Sequence, residues 1–160
     1  MLFMQCKATT TAKRLGCDPG WVKRTVGSKV MCFKKVKRTK IEKGLAVCRE
    51  VEAKLPLPKN GQEDKDLYKI VRDFGVRGAA LDGTDVEKEG DWRDSAGNSI
   101  SYTNWANREP NNSGRKEHYL HYYKSFGGKW NDAAGSTIEY IICVKPLSGR
   151  VYFYSHSLIT

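Results

Sequence analysis

Acidic and amide side chains gather in two short polar stretches of this sequence. The first contains Glu109, Asn111 and Glu117, and the second is Asn131 with Asp132. Carboxylate and amide carbonyl oxygens are the ligands that calcium prefers, and such a site needs neither redox chemistry nor soft donor atoms. Two other uses stay open. Glu109 and Glu117 could be the acid and nucleophile of a glycosidase, or all of these residues could be ordinary polar residues of loops.

The cysteines predict disulfide bonds rather than a metal site. The five cysteines are at positions 6, 17, 32, 48 and 143, with no CxxC pair and no histidine at zinc-finger spacing. Disulfides indicate an oxidising compartment, so we expect a secreted or extracellular protein. The first 14 residues contain too short an apolar stretch for a signal-peptide core, so secretion is inferred from the cysteines. The odd count leaves one thiol over, which we assign to Cys6, a residue that could link chains into an oligomer.

The positive charge of the chain is concentrated near its N-terminus. The net charge is +10, and residues 1–54 contain 14 Lys and Arg against four Asp and Glu, whereas the rest of the chain is balanced. The densest basic run covers residues 34–40. It could attract acidic or sulfated glycans, anionic membranes or nucleic acid, or be the solvated face of a strand and a helix start. We expect acidic or sulfated glycans as possible partners of this basic run, and no nucleic acid. We also expect no membrane span, because no run of 18 apolar residues exists.

The elements that must position these residues fit one domain of the α+β class. A chain of 160 residues can bury one core. Residues 17–36 predict a hairpin that leads into a strand. Apolar residues at three- and four-residue steps predict a helix from Thr39, as its cap, to Leu55, with Pro56 as its stop. A second helix is predicted over 63–74, followed by glycine-rich loops, three tryptophans of the core at 92, 105 and 130, and a last strand over 137–144.

The order of several short motifs resembles the C-type lectin fold over residues 17–146. The fold has two helices, small antiparallel sheets and a long calcium-binding loop region. The motifs are GW at 20–21, the first helix near Cys48, EG.W at 89–92, YTNW at 102–105, EPN at 109–111, WND at 130–132, and Cys143. The predicted domain is therefore 17–146, with an irregular segment at 1–16 and a C-terminal extension at 147–160.

The resemblance implies a disulfide framework with one bridge missing. Cys17 is expected to pair with Cys32, and Cys48 with Cys143. The usual second bridge of the family would join the positions of Tyr119 and Gly135, and neither is cysteine. A large residue facing a small one can fill the space, but the loop that binds the ion loses a tie. We therefore expect a softer site and a weaker calcium affinity than in relatives with the bridge.

The resemblance also implies a set of calcium ligands and a sugar class. The ligands are Glu109, Asn111, Glu117, Asn131 and Asp132, which leave two positions for vicinal sugar hydroxyls. Each hydroxyl would bind the ion, accept from an Asn amide and donate to a Glu carboxylate. In this family Glu before Asn goes with sugars of the mannose, glucose, fucose and N-acetylglucosamine type, and the order Gln and Asp goes with galactose.

Three further expectations follow from the resemblance. A cis peptide bond is expected before Pro110. A second calcium position is left open at Asp85, Glu89 and Asn112, because Asn112 and His118 stand where carboxylates would help. The sequon at Asn111 is expected to stay unmodified, since a glycan there would occupy a calcium ligand. His121 and His156 have no partner that the sequence identifies.

The sequence thus predicts a calcium-dependent lectin for mannose-type glycans that is not an enzyme. The alternative is a calcium-independent binder of proteins, minerals, ice or anionic glycans on the same fold. Arg108, Arg115 and Lys116 flank the expected sugar position and could favour acidic glycans, or be solvated charges of a loop.

Overall fold

A computed structural model of the protein describes residues 16–76 and 78–147. Cys6, His156 and nearly all of the predicted terminal segments 1–16 and 147–160 lie outside these residues. The described strands are β1 (Val22–Val26), β2 (Lys29–Lys40), β3 (Ala79–Thr84), β4 (Glu117–Tyr122), β5 (Trp130–Ala134) and β6 (Ile138–Pro146). The helices are α1 (Gly44–Arg49) and α2 (Gly61–Asp73), with short 3-10 turns at Ile41–Lys43, Ser113–Arg115 and Lys124–Phe126.

The described strands form one sheet in the order β1-β2-β6-β3-β4-β5. All neighbouring pairs are antiparallel except β3 and β6, which run parallel. The α+β class is confirmed. The strands join in one mixed sheet rather than in several small antiparallel ones, because β6 pairs with β2 along one edge and with β3 along the other.

The predicted hairpin near the N-terminus is confirmed as β1 and β2. Val26 pairs with Lys29 across a two-residue turn, and Gly27 in that turn has a φ of 57°, which glycine adopts without steric cost. A disulfide joins Cys17 to Cys32 of β2. Strand β2 continues through the basic run, so residues 34–40 are part of a strand.

Helix α2 begins and ends close to the predicted positions. The side chain of Asn60 accepts hydrogen bonds from the backbone N–H groups of Gln62 and Glu63, each at 3.0 Å. The side chain of Glu63 accepts a hydrogen bond from the backbone N–H of Lys59, the residue before the cap, at 2.9 Å. This reciprocal cap supplies acceptors for backbone donors that a helix start leaves unpaired. Gly75, with a φ of 74°, follows the helix end.

The first helix is much shorter than predicted. The proposed cap, Thr39, lies in β2 and pairs with Glu139 of β6, so its backbone is committed to the sheet. The helix ends at Arg49, well before the predicted end at Leu55. Lys54 leaves the helical path because it exchanges two backbone hydrogen bonds with Val144, at 3.0 and 2.8 Å. Leu55 is buried as predicted. It belongs to an extended segment that lies against β6, however, and not to a helix.

The core consists of two groups of buried apolar side chains. One lies between α2 and the sheet and includes Trp92 and Trp130, with Trp105 packed against both. The other surrounds the disulfide between Cys48 of α1 and Cys143 of β6, whose sulfur-bearing residues are fully buried. The structure thus contains the two disulfides that the resemblance implied, and the tryptophans have the predicted core role.

Candidate functional site

The predicted ligands are brought to one place by three parts of the chain. Glu109 and Asn111 lie in the long connection between β3 and β4, Glu117 is the first residue of β4, and Asn131 and Asp132 are in β5. Strands β4 and β5 are antiparallel neighbours at the edge of the sheet. The pairing carries the acid of β5 underneath the connection that contains the other acids.

Asp132 holds the connection against the sheet. Its side chain is almost fully buried, and its two oxygens accept from the backbone N–H groups of Asn111, at 3.1 Å, and Asn112, at 2.7 Å. Two N–H donors on one carboxylate offset part of the cost of burying its charge. The peptide bond between Glu109 and Pro110 is cis, as predicted.

Glu109 faces Asp132 across the site. Burial, the neighbouring Asp132 carboxyl and the charge of Glu117 raise the pKa of Glu109 to about 7, and the Asn111 side chain acts in the opposite direction. The Oε2 atom of Glu109 is buried and has no hydrogen-bond partner among the described residues. Two ionised carboxylates cannot hydrogen-bond to one another, so this pair needs either a proton on Glu109 or a cation between the two acids.

Glu117 and Asn131 complete the set. Glu117 accepts from the backbone N–H of Ser113 at 2.9 Å. The side-chain nitrogen of Asn131 contacts the carbonyl oxygen of Asp132 and lies 3.0 Å from Nε2 of His121. Both of these contacts use the amide nitrogen, which leaves the amide oxygen of Asn131 as the atom for a cation.

The side chains present fit a calcium ion. The donor set consists of three carboxylates and two amides, all of which offer oxygen, and hard cations such as Ca²⁺ take six to eight oxygen ligands. The buried and unpaired Oε2 of Glu109 is the atom that most needs such a cation. An ion bound here would require Glu109, Glu117 and Asp132 in their charged forms.

At the possible second position the expected residues Asp85 and Glu89 lie together, and Asn112 contacts Glu89 through its amide nitrogen. Asn112 donates from its amide nitrogen to Oε2 of Glu89 and accepts with its oxygen from the backbone N–H of Glu117 at 3.1 Å. These two bonds fix the orientation of the amide and turn its oxygen away from Glu89. The side chain that joins Asp85 and Glu89 is that of His118.

His121 has partners that the sequence did not reveal. Its ring is buried in β4, with Nε2 at 3.0 Å from the amide nitrogen of Asn131 and Nδ1 at 3.4 Å from a carboxylate oxygen of Glu139. The structure thus supplies neighbours for His121 that the sequence did not identify, although Nδ1 makes no hydrogen bond within the described residues. Positions 121 and 131 face one another only through the register of β4 and β5, which the residue types alone do not predict.

The basic run lies toward the opposite edge of the sheet from this site. Strand β2 is separated from β4 by β6 and β3. Three of its cations lie over aromatic rings: Lys34 is 5.9 Å from the centre of Trp21, and Lys35 and Arg38 are 5.5 and 5.8 Å from that of Tyr140. The basic surface and the carboxylate site are therefore independent features.

Tyr119 and Gly135 stand together where the resemblance placed a disulfide. A Cβ atom on Gly135 would lie 2.9 Å from the Tyr119 ring and 2.7 Å from a carboxylate oxygen of Glu42. The ring therefore fills the space beside the glycine, and Tyr119 and Gly135 are not covalently joined.

The fold and the connection between β3 and β4 together define a binding domain of the α+β class. A disulfide between α1 and β6 closes this domain. Residues 37–145 match the family model described as Lectin C-type domain. The chain therefore belongs to the C-type lectin domain family, whose members are binding proteins and commonly hold Ca²⁺.

Solved structures with the same fold include both sugar-binding and calcium-independent proteins. The mouse scavenger receptor C-type lectin carbohydrate-recognition domain has a TM-score of 0.71 and 23% identity, and the match covers 84% of this chain and 100% of that one. The cow carbohydrate-recognition domain of CD23, in the presence of a GlcNAc2Man3 oligosaccharide, has a TM-score of 0.69 and 22% identity, with 85% and 100% covered. A calcium-independent type II antifreeze protein has a TM-score of 0.68 and 18% identity, with 84% and 97% covered. At these identities the likeness establishes the fold and not the ligand.

In the described residues, no helix combines the length and the apolar character that crossing a membrane requires.

Proposed function

We propose that this domain binds Ca²⁺ through Glu109, Asn111, Glu117, Asn131 and Asp132, and that the bound ion holds a sugar of the mannose type. The observation that carries the proposal is the meeting of Glu109 and Asp132, two acids more than 20 positions apart, around a buried carboxylate oxygen without a partner. Ordinary loop acids would turn to solvent rather than accept the cost of lying close together in a partly buried place.

The role of the ion is to accept two vicinal hydroxyl oxygens of the sugar. The residues of this chain orient those hydroxyls: Asn111 offers an amide donor, and Glu109 and Glu117 offer carboxylate acceptors. A hydroxyl bound in this way uses its lone pairs and its proton, so that little hydrogen bonding to water is lost.

Retention on a mannan resin in calcium tests the proposal. The domain should bind in Ca²⁺, elute with a chelator or with free mannose, and resist elution by galactose. Retention that persists in chelator would contradict the proposal and would favour the basic surface of β2 as a calcium-independent site for anionic glycans. Heparin resin in chelator, with the variant Lys35→Glu plus Arg38→Glu as a control, measures that second activity directly.

Exchange of two residues tests the sugar class. The variant Glu109→Gln plus Asn111→Asp reverses the order of acceptor and donor around the ion, so it should lose retention on mannan and gain retention on a galactose resin. The variant Asn107→Gln is a matched control, because it changes an exposed neighbour of the same loop, keeps its amide and should keep the preference for mannose. Unchanged preference in the double variant would mean that these residues do not orient the sugar.

The location that fits the disulfides is outside the cytosol. Cys17–Cys32 and Cys48–Cys143 would persist in an oxidising compartment. We therefore propose that the domain acts as an extracellular lectin. Because a single calcium-sugar contact is weak, it would gain avidity from multivalent presentation, for which Cys6 offers a chemical link.

A further inference from the structure

A second group of metal-binding side chains lies beside the proposed sugar site. Nδ1 of His118 is 3.0 Å from Oδ1 of Asp85 and 3.7 Å from Oε2 of Glu89, and the three ligand atoms all lie within 4.8 Å of one another. The three residues come from two parts of the chain: Asp85 and Glu89 follow β3, and His118 is in β4.

Backbone contacts hold two of these residues in fixed positions. The backbone N–H of Asp85 donates to the carbonyl oxygen of His118 at 3.3 Å, and the hydroxyl of Thr84 donates to the same oxygen at 2.7 Å. The second carboxylate oxygen of Asp85 accepts from the backbone N–H of Gly90 at 2.8 Å. Asp85 is nearly fully buried, so one of its oxygens is held by the backbone and the other is directed at His118.

The donor atoms of this cluster do not suit calcium. Ca²⁺ takes six to eight ligands and prefers oxygen in every position. Here one ligand is an imidazole nitrogen, and the neighbouring amide of Asn112 presents its nitrogen to Glu89 and commits its oxygen to Glu117. Imidazole nitrogen together with carboxylate oxygen is a donor set of zinc and its neighbours among the transition metals.

The spacing of the cluster also suits a smaller ion. Zinc binds nitrogen and carboxylate oxygen at about 2.0 to 2.2 Å in a tetrahedral arrangement, which places neighbouring ligand atoms roughly 3.3 to 3.5 Å apart. The two distances from His118, 3.0 and 3.7 Å, lie on either side of that separation. In the metal-free protein the 3.0 Å contact is a hydrogen bond, so a bound ion would replace its proton, and the exposed side chain of Glu89 can adjust to the ion.

We propose that Asp85, Glu89 and His118 form a site for a zinc-like divalent cation, selective over calcium. The ion has three protein ligands, and water occupies its fourth position. This site shares no residue with the proposed calcium site, and Asn112 lies between the two: its backbone N–H donates to Asp132, and its amide nitrogen donates to Glu89. The domain would therefore bind two different metal ions, one at the proposed calcium site and one at Asp85, Glu89 and His118.

Metal titration of the full chain tests this proposal. The background is the variant Cys6→Ser, which removes a thiol that would itself bind zinc. Calorimetry with Zn²⁺, followed by visible absorption with Co²⁺ as the substitute ion, should show one equivalent in a site of low coordination number. The variant His118→Asp replaces nitrogen with oxygen, so it should weaken Zn²⁺ binding by at least about 10-fold, the loss typical when a residue that only supports a metal ligand is changed. It should also strengthen binding of Ca²⁺.

Three further variants make the result specific. Glu89→Gln changes an exposed ligand and should weaken Zn²⁺ binding in the same way, which keeps the test valid if His118→Asp fails to fold. His156→Gln is a control and should leave Zn²⁺ binding unchanged. Asp132→Asn should leave Zn²⁺ binding intact even when sugar binding is lost, so this proposal and the sugar proposal can fail separately. Zn²⁺ binding that is equal in the parent, His118→Asp and Glu89→Gln proteins would overturn the zinc site. Binding of Ca²⁺ at the cluster of the parent protein with the same affinity as Zn²⁺ would also overturn it.

Discussion

The two halves of this domain are held together by different means. In the half formed by α1, β2 and β6, disulfides at Cys17–Cys32 and Cys48–Cys143 close the chain covalently. In the other half, the connection over residues 108–117, which we call the carboxylate loop, is held by hydrogen bonds to Asp132 and Glu117. Within residues 78–137, as the structure describes them, no disulfide supports that loop.

The difference separates the stability of the scaffold from the order of the site. Disulfides act whether or not a ligand is present, because they restrict the unfolded chain. The carboxylate loop instead depends on acids that repel one another, and a cation would convert that repulsion into attraction. The scaffold should therefore persist without metal, and the loop should gain most of its order from binding.

The largest expected effect is the loss of the long-range disulfide. Cys48→Ser plus Cys143→Ser opens a loop of 95 residues and should lower the free energy of unfolding by about 5 kcal/mol. Cys17→Ser plus Cys32→Ser opens a loop of 15 residues and should cost about 3 kcal/mol. Urea unfolding in chelator measures both. A larger cost for the short loop would show that strain or local packing, and not chain closure, governs this half.

The next effect concerns the anchor of the carboxylate loop. Asp132→Asn removes one charge and places an amide nitrogen opposite a backbone N–H of the loop, so calcium affinity should fall by about 100-fold or more, roughly 3 kcal/mol. Asp73→Asn, at the half-exposed end of α2, is the matched control and should bind as the parent does. Similar calcium heats for the two variants would remove Asp132 from the site.

A restored bridge would make the two halves alike. Tyr119→Cys plus Gly135→Cys removes the ring and closes a loop of about 16 residues, for which chain entropy predicts at most about 3 kcal/mol of added stability. Calcium affinity should rise as well, since the loop would lose less freedom on binding. Tyr119→Ser plus Gly135→Ser is the control for changes of shape. If the oxidised cysteine variant bound calcium no more tightly than the serine variant, the missing bridge would not be what softens the site.

The smallest effect is that of pH on the carboxylate loop. The pKa of Glu109 is raised to about 7 in the folded protein without metal, above its ordinary value of 4.5. The folded state therefore binds more protons between these values, so the stability that the neutral carboxyl provides is lost as pH rises through about 7. Calcium must displace that proton, so its affinity should fall by up to about 10-fold per pH unit below 7. Calorimetry in buffers of different ionisation enthalpy, with Glu109→Gln as control, would detect the released proton, and a pH-independent affinity would contradict this assignment.

Much of the fold was predictable because its signals are local. The apolar spacing of α2 and the turn of the first hairpin depend on neighbours within a few residues. The first helix was predicted too long because the apolar residues after Arg49 follow a helical period but are buried by an extended segment. That outcome is decided by the pairing of Lys54 with Val144, 90 positions away.

Motif order predicted which side chains lie together but not the contacts that depend on strand register, and the role of these side chains as calcium ligands stays a prediction. The resemblance brought Glu109 and Asp132 into one proposal, and the structure places them face to face. The contacts of His121 with Asn131 and Glu139 depend on how three strands align. The orientation of the Asn112 amide likewise depends on hydrogen bonds from two sides, which residue types do not specify.

Calorimetric titration of the metal-free domain with Ca²⁺, with and without mannose, tests the central claim most directly. The account predicts a saturable calcium heat that disappears in Asp132→Asn, and an apparent calcium affinity that rises when mannose is present, because binding of the two ligands is reciprocal. A domain that gives no calcium heat, or whose calcium affinity is the same with and without mannose, would contradict it.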